Sequence, residues 1–182
     1  MKIQVDKDIH IELLVPIFTK RLFDLTNKNR AHLKKWLAWL DLVQTLEDTQ
    51  TFIDTAVQQH INGQATTFVI LYRGDLVGVA GFNHLDYQHK WGAIGYWLCA
   101  AYSGLGVISK VVQTLMEYGF VENSLNKIEI RCAAKNHKSR AVPERFGFTY
   151  EATLRECEWL YDRYVDHAVY TMLASEYKAR QA

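Results

Sequence analysis

Ala101-Tyr-Ser-Gly-Leu-Gly-Val-Ile-Ser-Lys110 decides how this chain is read, because two glycines one residue apart, Gly104 and Gly106, stand where an apolar run stops and a helical pattern begins. A helix start exposes unpaired backbone N–H groups and carries about half a positive charge, and glycine lets a ligand come close to the main chain, so phosphate oxygens suit such a turn. A tight strand-to-helix turn uses the same residues, so this stretch alone leaves both readings open. The dinucleotide fingerprint wants a third glycine where Ser109 stands, and the phosphate loop of nucleotide hydrolases wants Gly-Lys-Ser/Thr, which is absent.

Working outward, an apolar run from Trp91 to Ala100 precedes the turn. A helical stripe of Ile108, Val111, Val112, Leu115, Met116 and Phe120 follows it, and Ile128, Ile130 and Cys132 then alternate with Lys127, Glu129 and Arg131 as in a half-buried strand. Upstream, Thr66 to Tyr72 and Leu76 to Leu85 read as strands joined by the hairpin turn Arg73-Gly74-Asp75; downstream, Tyr150 to Leu160 and Val165 to Leu173 flank a second turn. Near the start, Ile17 to Leu25 has helical spacing that Asn27 to Asn29 interrupts. Thr45 with Asp48 makes a capping box for a helix carrying Phe52, Ala56, Val57 and Ile61, which stops at Asn62-Gly63. Between them RAHLKKWLAWL predicts a short amphipathic helix whose Trp36 and Trp39 either fill the core or wall a substrate groove. The expected fold class is α/β of the mixed α+β kind, a mixed sheet flanked by helices.

The 182 residues are 49% hydrophobic, and no repeat, low-complexity tract or Pro/Gly/Ser-rich linker divides them, so one domain spanning residues 1–182 is expected. With 21 Lys plus Arg against 20 Asp plus Glu, the net charge of +1 gives no long-range field for nucleic acid or anionic lipid, and neither is expected as a partner. Cys99, Cys132 and Cys157 are few, widely spaced and odd in number, and the seven histidines are scattered, so neither a disulfide framework nor a metal site is expected. The start MKIQVDKDIHIELL lacks an apolar core of signal-peptide length, and no apolar run approaches the ~20 residues of a membrane span, which points to a cytoplasmic protein.

A second segment, IEIRCAAKNHKSRAVPERFGF, has a strand ending at Ala134, Asn136 or Ser139 as the cap of a short helix, and Gly147 as its stop, with Pro143 tolerable only near the first turn or at a kink. Together, GYWLCAAYSGLG and this segment resemble the two cofactor-binding motifs of the GNAT superfamily of acetyl-CoA-dependent N-acetyltransferases, and the order of elements matches along nearly the whole chain. Within it the chain is similar to the RimJ/RimL-type ribosomal-protein N-acetyltransferases, through IGYWL, the spacing of Asn136 to Ser139, Gly147-Phe148, ECEWLYDRYVDHAVY and KKWLAWLDLVQTLEDT.

That resemblance implies the GNAT fold, with a central, mostly antiparallel mixed sheet, and acetyl-CoA as co-substrate. It implies that the N–H groups of Leu105, Gly106, Val107, Ile108 and Ser109 hold the CoA pyrophosphate, that the pantetheine arm lies beside Trp97, Leu98 and Cys99 and points toward Cys132, and that Asn136 and Ser139 also meet the cofactor. Two departures stand out: Ser103 occupies the place of a usual Gln or Arg, and Pro143 that of the tyrosine that many members use to protonate the thiolate. By the same likeness Glu158 is the expected base, with Glu156 on the same face by the strand period, and Ser139 replaces the tyrosine unless it only caps its helix. Cys132 lacks an adjacent histidine in sequence, which favours a pocket liner over an acyl-accepting nucleophile. The expected acceptor is a protein N-terminal α-amine, met by a groove bordered by Trp36 and Trp39 that a second subunit of a homodimer could complete. A small amine such as a polyamine, amino sugar or antibiotic, or a CoA-binding regulatory role without turnover, are the alternatives.

Overall fold

The computed structural model describes residues 1–181. Its centre is an eight-stranded sheet made of β1 (Lys2–Gln4), β2 (Ile9–Leu13), β3 (Thr66–Tyr72), β4 (Asp75–Asp86), β5 (Trp91–Leu98), β6 (Lys127–Ala133), β7 (Thr149–Leu160) and β8 (Arg163–Leu173). Spatial order is β1-β2-β3-β4-β5-β6-β8-β7, antiparallel throughout except between β5 and β6. The expected mixed, mostly antiparallel sheet flanked by helices is therefore the observed fold.

β3 shows why the sheet is covered on both sides. Phe68 and Ile70 point into a core shared with Val107, Val111, Val112 and Leu115 of α3 (Val107–Glu117), whereas Val69 and Leu71 pack with Leu22 of α1 (Thr19–Leu33) and Ile53 and Ala56 of α2 (Leu46–Ile61). Successive side chains of a strand face opposite ways, so an uninterrupted apolar run requires a helical layer on each face. α4 (His137–Arg145) lies on the α3 side through Val142, and Tyr177 of α5 (Ala174–Ala179) packs there too.

Several boundaries differ from the sequence reading. β1 and β2 were not anticipated, because their short polar-apolar alternation lies in a charged segment. α1 does not stop at Asn27 to Asn29 but runs to Leu33, which is buried, and Asn29 pays its way with two bonds: its amide donates to the Leu25 carbonyl and its Oδ1 accepts the Ala100 N–H at 3.1 Å. The segment RAHLKKWLAWL is consequently split between the end of α1 and a 3-10 turn, Ala38–Leu42, with Arg30 donating to the carbonyls of Leu40 and Val43 across the gap. The capping box of Thr45 and Asp48 is present with both reciprocal bonds.

One feature of the sheet positions the site. β5 and β6 pair in parallel only from Trp91/Lys127 to Ile94/Ile130, although β5 continues to Leu98 and β6 to Ala133, so the two strands part beyond Ile94. A wedge opens in the middle of an otherwise continuous sheet.

Candidate active site

On the β5 side of the wedge, the backbone hydrogen bonds can be assigned by alternation. Cys99 donates its N–H to the Val77 carbonyl at 2.8 Å, and Val79 lies opposite Trp97, so Cys99 and Trp97 bond toward β4. The N–H and C=O groups of Tyr96 and Leu98 therefore face the wedge, an unpaired strand edge that an extended ligand can join. Cys99 itself is buried and lines neither adjoining cavity.

The glycine turn follows. Gly104 and Gly106 have φ of +87° and +75°, and a Cβ on either would meet nothing within 4 Å, so the turn needs glycine for its backbone conformation and not for internal packing. Gly106 is the N-cap of α3 and offers no side-chain cap; its carbonyl accepts from Lys110, the first intrahelical donor. The N–H groups of Gly104, Gly106, Val107, Ile108 and Ser109 have no acceptor among the described residues, whereas that of Leu105 reaches the Tyr102 carbonyl at 3.4 Å and the Leu105 side chain is exposed. Arg145, from the last turn of α4, donates to the Ser109 hydroxyl. It brings a guanidinium to the turn that Ser103 leaves without a long polar side chain. These groups line a cavity of about 550 Å³ together with Lys138, His32 and Trp36. Open N–H groups, a space that no protein Cβ occupies and adjacent cationic side chains fit the diphosphate end of CoA. Arg145 and Lys138 escaped the sequence reading, since their sequence neighbours do not show that α4 docks beside α3.

A second cavity, about 570 Å³, opens from the other end of the wedge and is lined by residues of α1, α2, α4 and every strand from β3 to β8. Trp36 and Trp39 both line it and neither is fully buried, so they wall a cavity in place of filling the core; Trp39 lies 6.3 Å from Trp97, ring centre to ring centre. The two cavities share Trp36, Leu37, Tyr96, Trp97, Asn136 and Ser139 as walls. They meet at the divergence of β5 and β6.

At that junction Asn136 caps α4, its Oδ1 accepting the Ser139 N–H at 3.2 Å. The cap is thus Asn136, one turn before Ser139, and Ser139 is left to present its side chain to the junction. The Tyr96 hydroxyl donates to the Ser139 carbonyl at 3.0 Å. Burial drives the Tyr96 phenol far above its ordinary range, opposed by the neighbouring Ser139 side chain. Cys132 lines the second cavity, and burial likewise raises its thiol, with Ser139 and Arg140 acting the other way. A thiol held protonated in this way is a poor nucleophile.

Glu158 also lines the second cavity, with Oε2 2.9 Å from Nε2 of His167, which leaves Oε1 unpaired among the described residues. A register shift between Leu154 and Glu158 aims it there: Glu156 sits at φ +48° and gives its N–H to Asp166 Oδ1. Because of this bulge the strand period breaks, and Glu156 is exposed and lines neither cavity, contrary to the expectation that it shares a face with Glu158. His167 was not singled out in sequence, where it is one of seven scattered histidines. No group of three His, Cys, Asp or Glu side chains suited to a metal occurs among the described residues, and no described helix is long and apolar enough to cross a membrane.

Residues 16–149 match the family described as "Acetyltransferase (GNAT) domain". The chain is 32% identical to the ribosomal-protein-serine acetyltransferase of Escherichia coli K12, over 94% of this chain and 96% of that protein. It is 31% identical to the putative ribosomal N-acetyltransferase YdaF of Bacillus subtilis 168, over 98% of each. Among solved structures, a RimL ribosomal L7/L12 α-N-protein acetyltransferase in complex with coenzyme A superposes with a TM-score of 0.93 at 27% identity, covering 97% of this chain and 99% of that one. Matched by that family over most of its length, the chain belongs to the GNAT acetyltransferases, is related to their RimJ/RimL branch, and is an acetyl-CoA-dependent acetyltransferase.

Proposed function

We propose that the protein acetylates the N-terminal α-amine of a protein, as a member of the RimJ/RimL branch, by direct attack of the amine on acetyl-CoA. The observation that carries this reading is the junction of the two cavities at Tyr96, Asn136 and Ser139, with Glu158 in the wall of the cavity away from the glycine turn. Relatives named for ribosomal proteins, matched over nearly their full lengths, support the acceptor class.

Acetyl-CoA supplies an activated acyl group and a thiol leaving group. The N–H groups from Gly106 to Ser109, with Arg145 and Lys138, hold its phosphates, and the wedge-facing groups of Tyr96 and Leu98 pair with its amide-bearing arm. The Leu98 N–H then donates to the thioester oxygen, where charge grows as the amine attacks. An ammonium carries three protons: Glu158 takes the first through Oε1, the departing sulfur receives the equivalent of the second by way of the Ser139 hydroxyl, and the third remains as the amide N–H. His167 holds Oε2 and so orients the carboxylate. An α-amine, with a pKa of about 8, is already partly neutral at pH 7, whereas lysine at about 10.4 is not, so a carboxylate base suits the former.

The test is a competition. Peptides with a free α-amine and an acetyl-blocked set offering only lysine, together with spermidine, are incubated with enzyme and acetyl-CoA, and the site of acetylation is read by mass spectrometry. Preference for the free α-amine is expected; faster transfer to lysine or spermidine would overturn the acceptor assignment.

A further inference from the structure

Pro143 sits at the seventh position of α4, buried, well beyond the first turn where proline is harmless. It has no N–H, and in an α-helix the N–H of residue 143 is the partner of the carbonyl of residue 139. Ser139 therefore loses its helical donor, and a half-buried carbonyl without a partner is costly. The Tyr96 hydroxyl supplies the missing bond from another element, 3.0 Å from that same carbonyl oxygen. Since Tyr96 lies on the wedge edge of β5 and Ser139 on α4, this single contact ties together the two sides of the junction where the cavities meet.

We propose that Tyr96 is a positioning residue for acetyl transfer, a latch whose hydroxyl completes the turn that Pro143 leaves open and thereby fixes Ser139 at the junction. Its phenol stays protonated across the working pH range, so it acts as a permanent donor and the latch does not open by titration. The kinetic part of the proposal rests on the role given above to Ser139; the hydrogen-bond part does not.

The two parts are separated by a double-mutant cycle of Tyr96→Phe and Pro143→Ala, read by kcat, by calorimetric CoA affinity and by denaturant midpoint. Tyr96→Phe alone should lower kcat about five- to tenfold, the factor that corresponds to one lost hydrogen bond of ordinary worth, with CoA affinity held within about twofold. In the Pro143→Ala background the restored N–H takes the Ser139 carbonyl, so the same Tyr96→Phe change should cost less than about threefold in kcat and much less in midpoint. Equal losses in both backgrounds, in rate and in midpoint, would overturn the latch. If Tyr96→Phe alone does not fold, Tyr96→Phe/Pro143→Ala should fold, and its failure to do so would also overturn it. If the midpoints couple while the rates do not, the hydrogen bond stands and the positioning of Ser139 for transfer is wrong.

Discussion

At the scale of single residues, Glu158 and Ser139 divide the proton traffic of the proposed reaction. Both act after the cofactor has bound, since neither is part of the glycine turn. Glu158→Gln and Ser139→Ala should therefore keep acetyl-CoA affinity and lose transfer rate, by the ~10²–10⁴-fold typical of general acid–base groups. In Glu158→Gln, raising the pH toward the α-amine pKa of about 8 should recover part of the rate, because solvent then delivers the neutral amine that the carboxylate otherwise generates. Rate–pH profiles of the two variants beside the wild type check this; a Glu158→Gln enzyme with near-normal turnover at pH 7 would move the base to ordered water, because the bulge carries Glu156 away from the cavity. Ser139→Ala with normal turnover would leave Ser139 no chemical role, since Asn136 already holds the cap.

At the scale of elements, α3 works by what its first turn lacks. Its N-cap is a glycine without a capping side chain, and its first three N–H groups stay open where most helices would satisfy one with Ser, Thr, Asp or Asn. Gly106→Val places a β-branched side chain at φ +75° and in the space before the helix, which is otherwise empty of protein atoms. The expected outcome is a folded protein, by circular dichroism, that no longer binds CoA in a calorimeter. Unchanged affinity in a folded variant would remove the phosphates from this turn.

For the molecule as a whole, the second cavity is walled by segments far apart in the chain, and one strut joins two of them. The Tyr161 hydroxyl, at the tip between β7 and β8, donates to the Leu37 carbonyl at 2.6 Å, and Lys34 Nζ stands 4.3 Å from the centre of the same ring. The strut ties the hairpin that carries Glu158 to the α1–α2 connection that carries Trp36 and Trp39. Tyr161→Phe should raise the acceptor KM about three- to tenfold, the worth of one neutral hydrogen bond, with CoA affinity unchanged. Steady-state kinetics with each substrate varied in turn would show this; a change confined to the CoA side would assign the strut to the other cavity.

The sequence by itself determined what depends on local chemistry. Apolar runs and alternation marked β3 to β8, the Thr45/Asp48 pair marked the start of α2, and two glycines before an apolar stripe marked the open end of α3, because dihedral freedom, capping and face burial are set within a few residues. The likeness to GNAT motifs carried the family. Tertiary structure decided whatever depends on a partner distant in the chain. Asn29 continues a helix it was expected to end because Ala100 offers it a donor; Arg145 reaches the glycine turn because α4 docks beside α3; the bulge at Glu156 separates two glutamates that the strand period alone would pair; and Pro143 is accommodated inside α4 because a tyrosine 47 positions earlier in the chain, by the difference of residue numbers, donates to the carbonyl it orphans. Each is a hydrogen bond or register set by the folded sheet, and no local propensity encodes where its other half will lie.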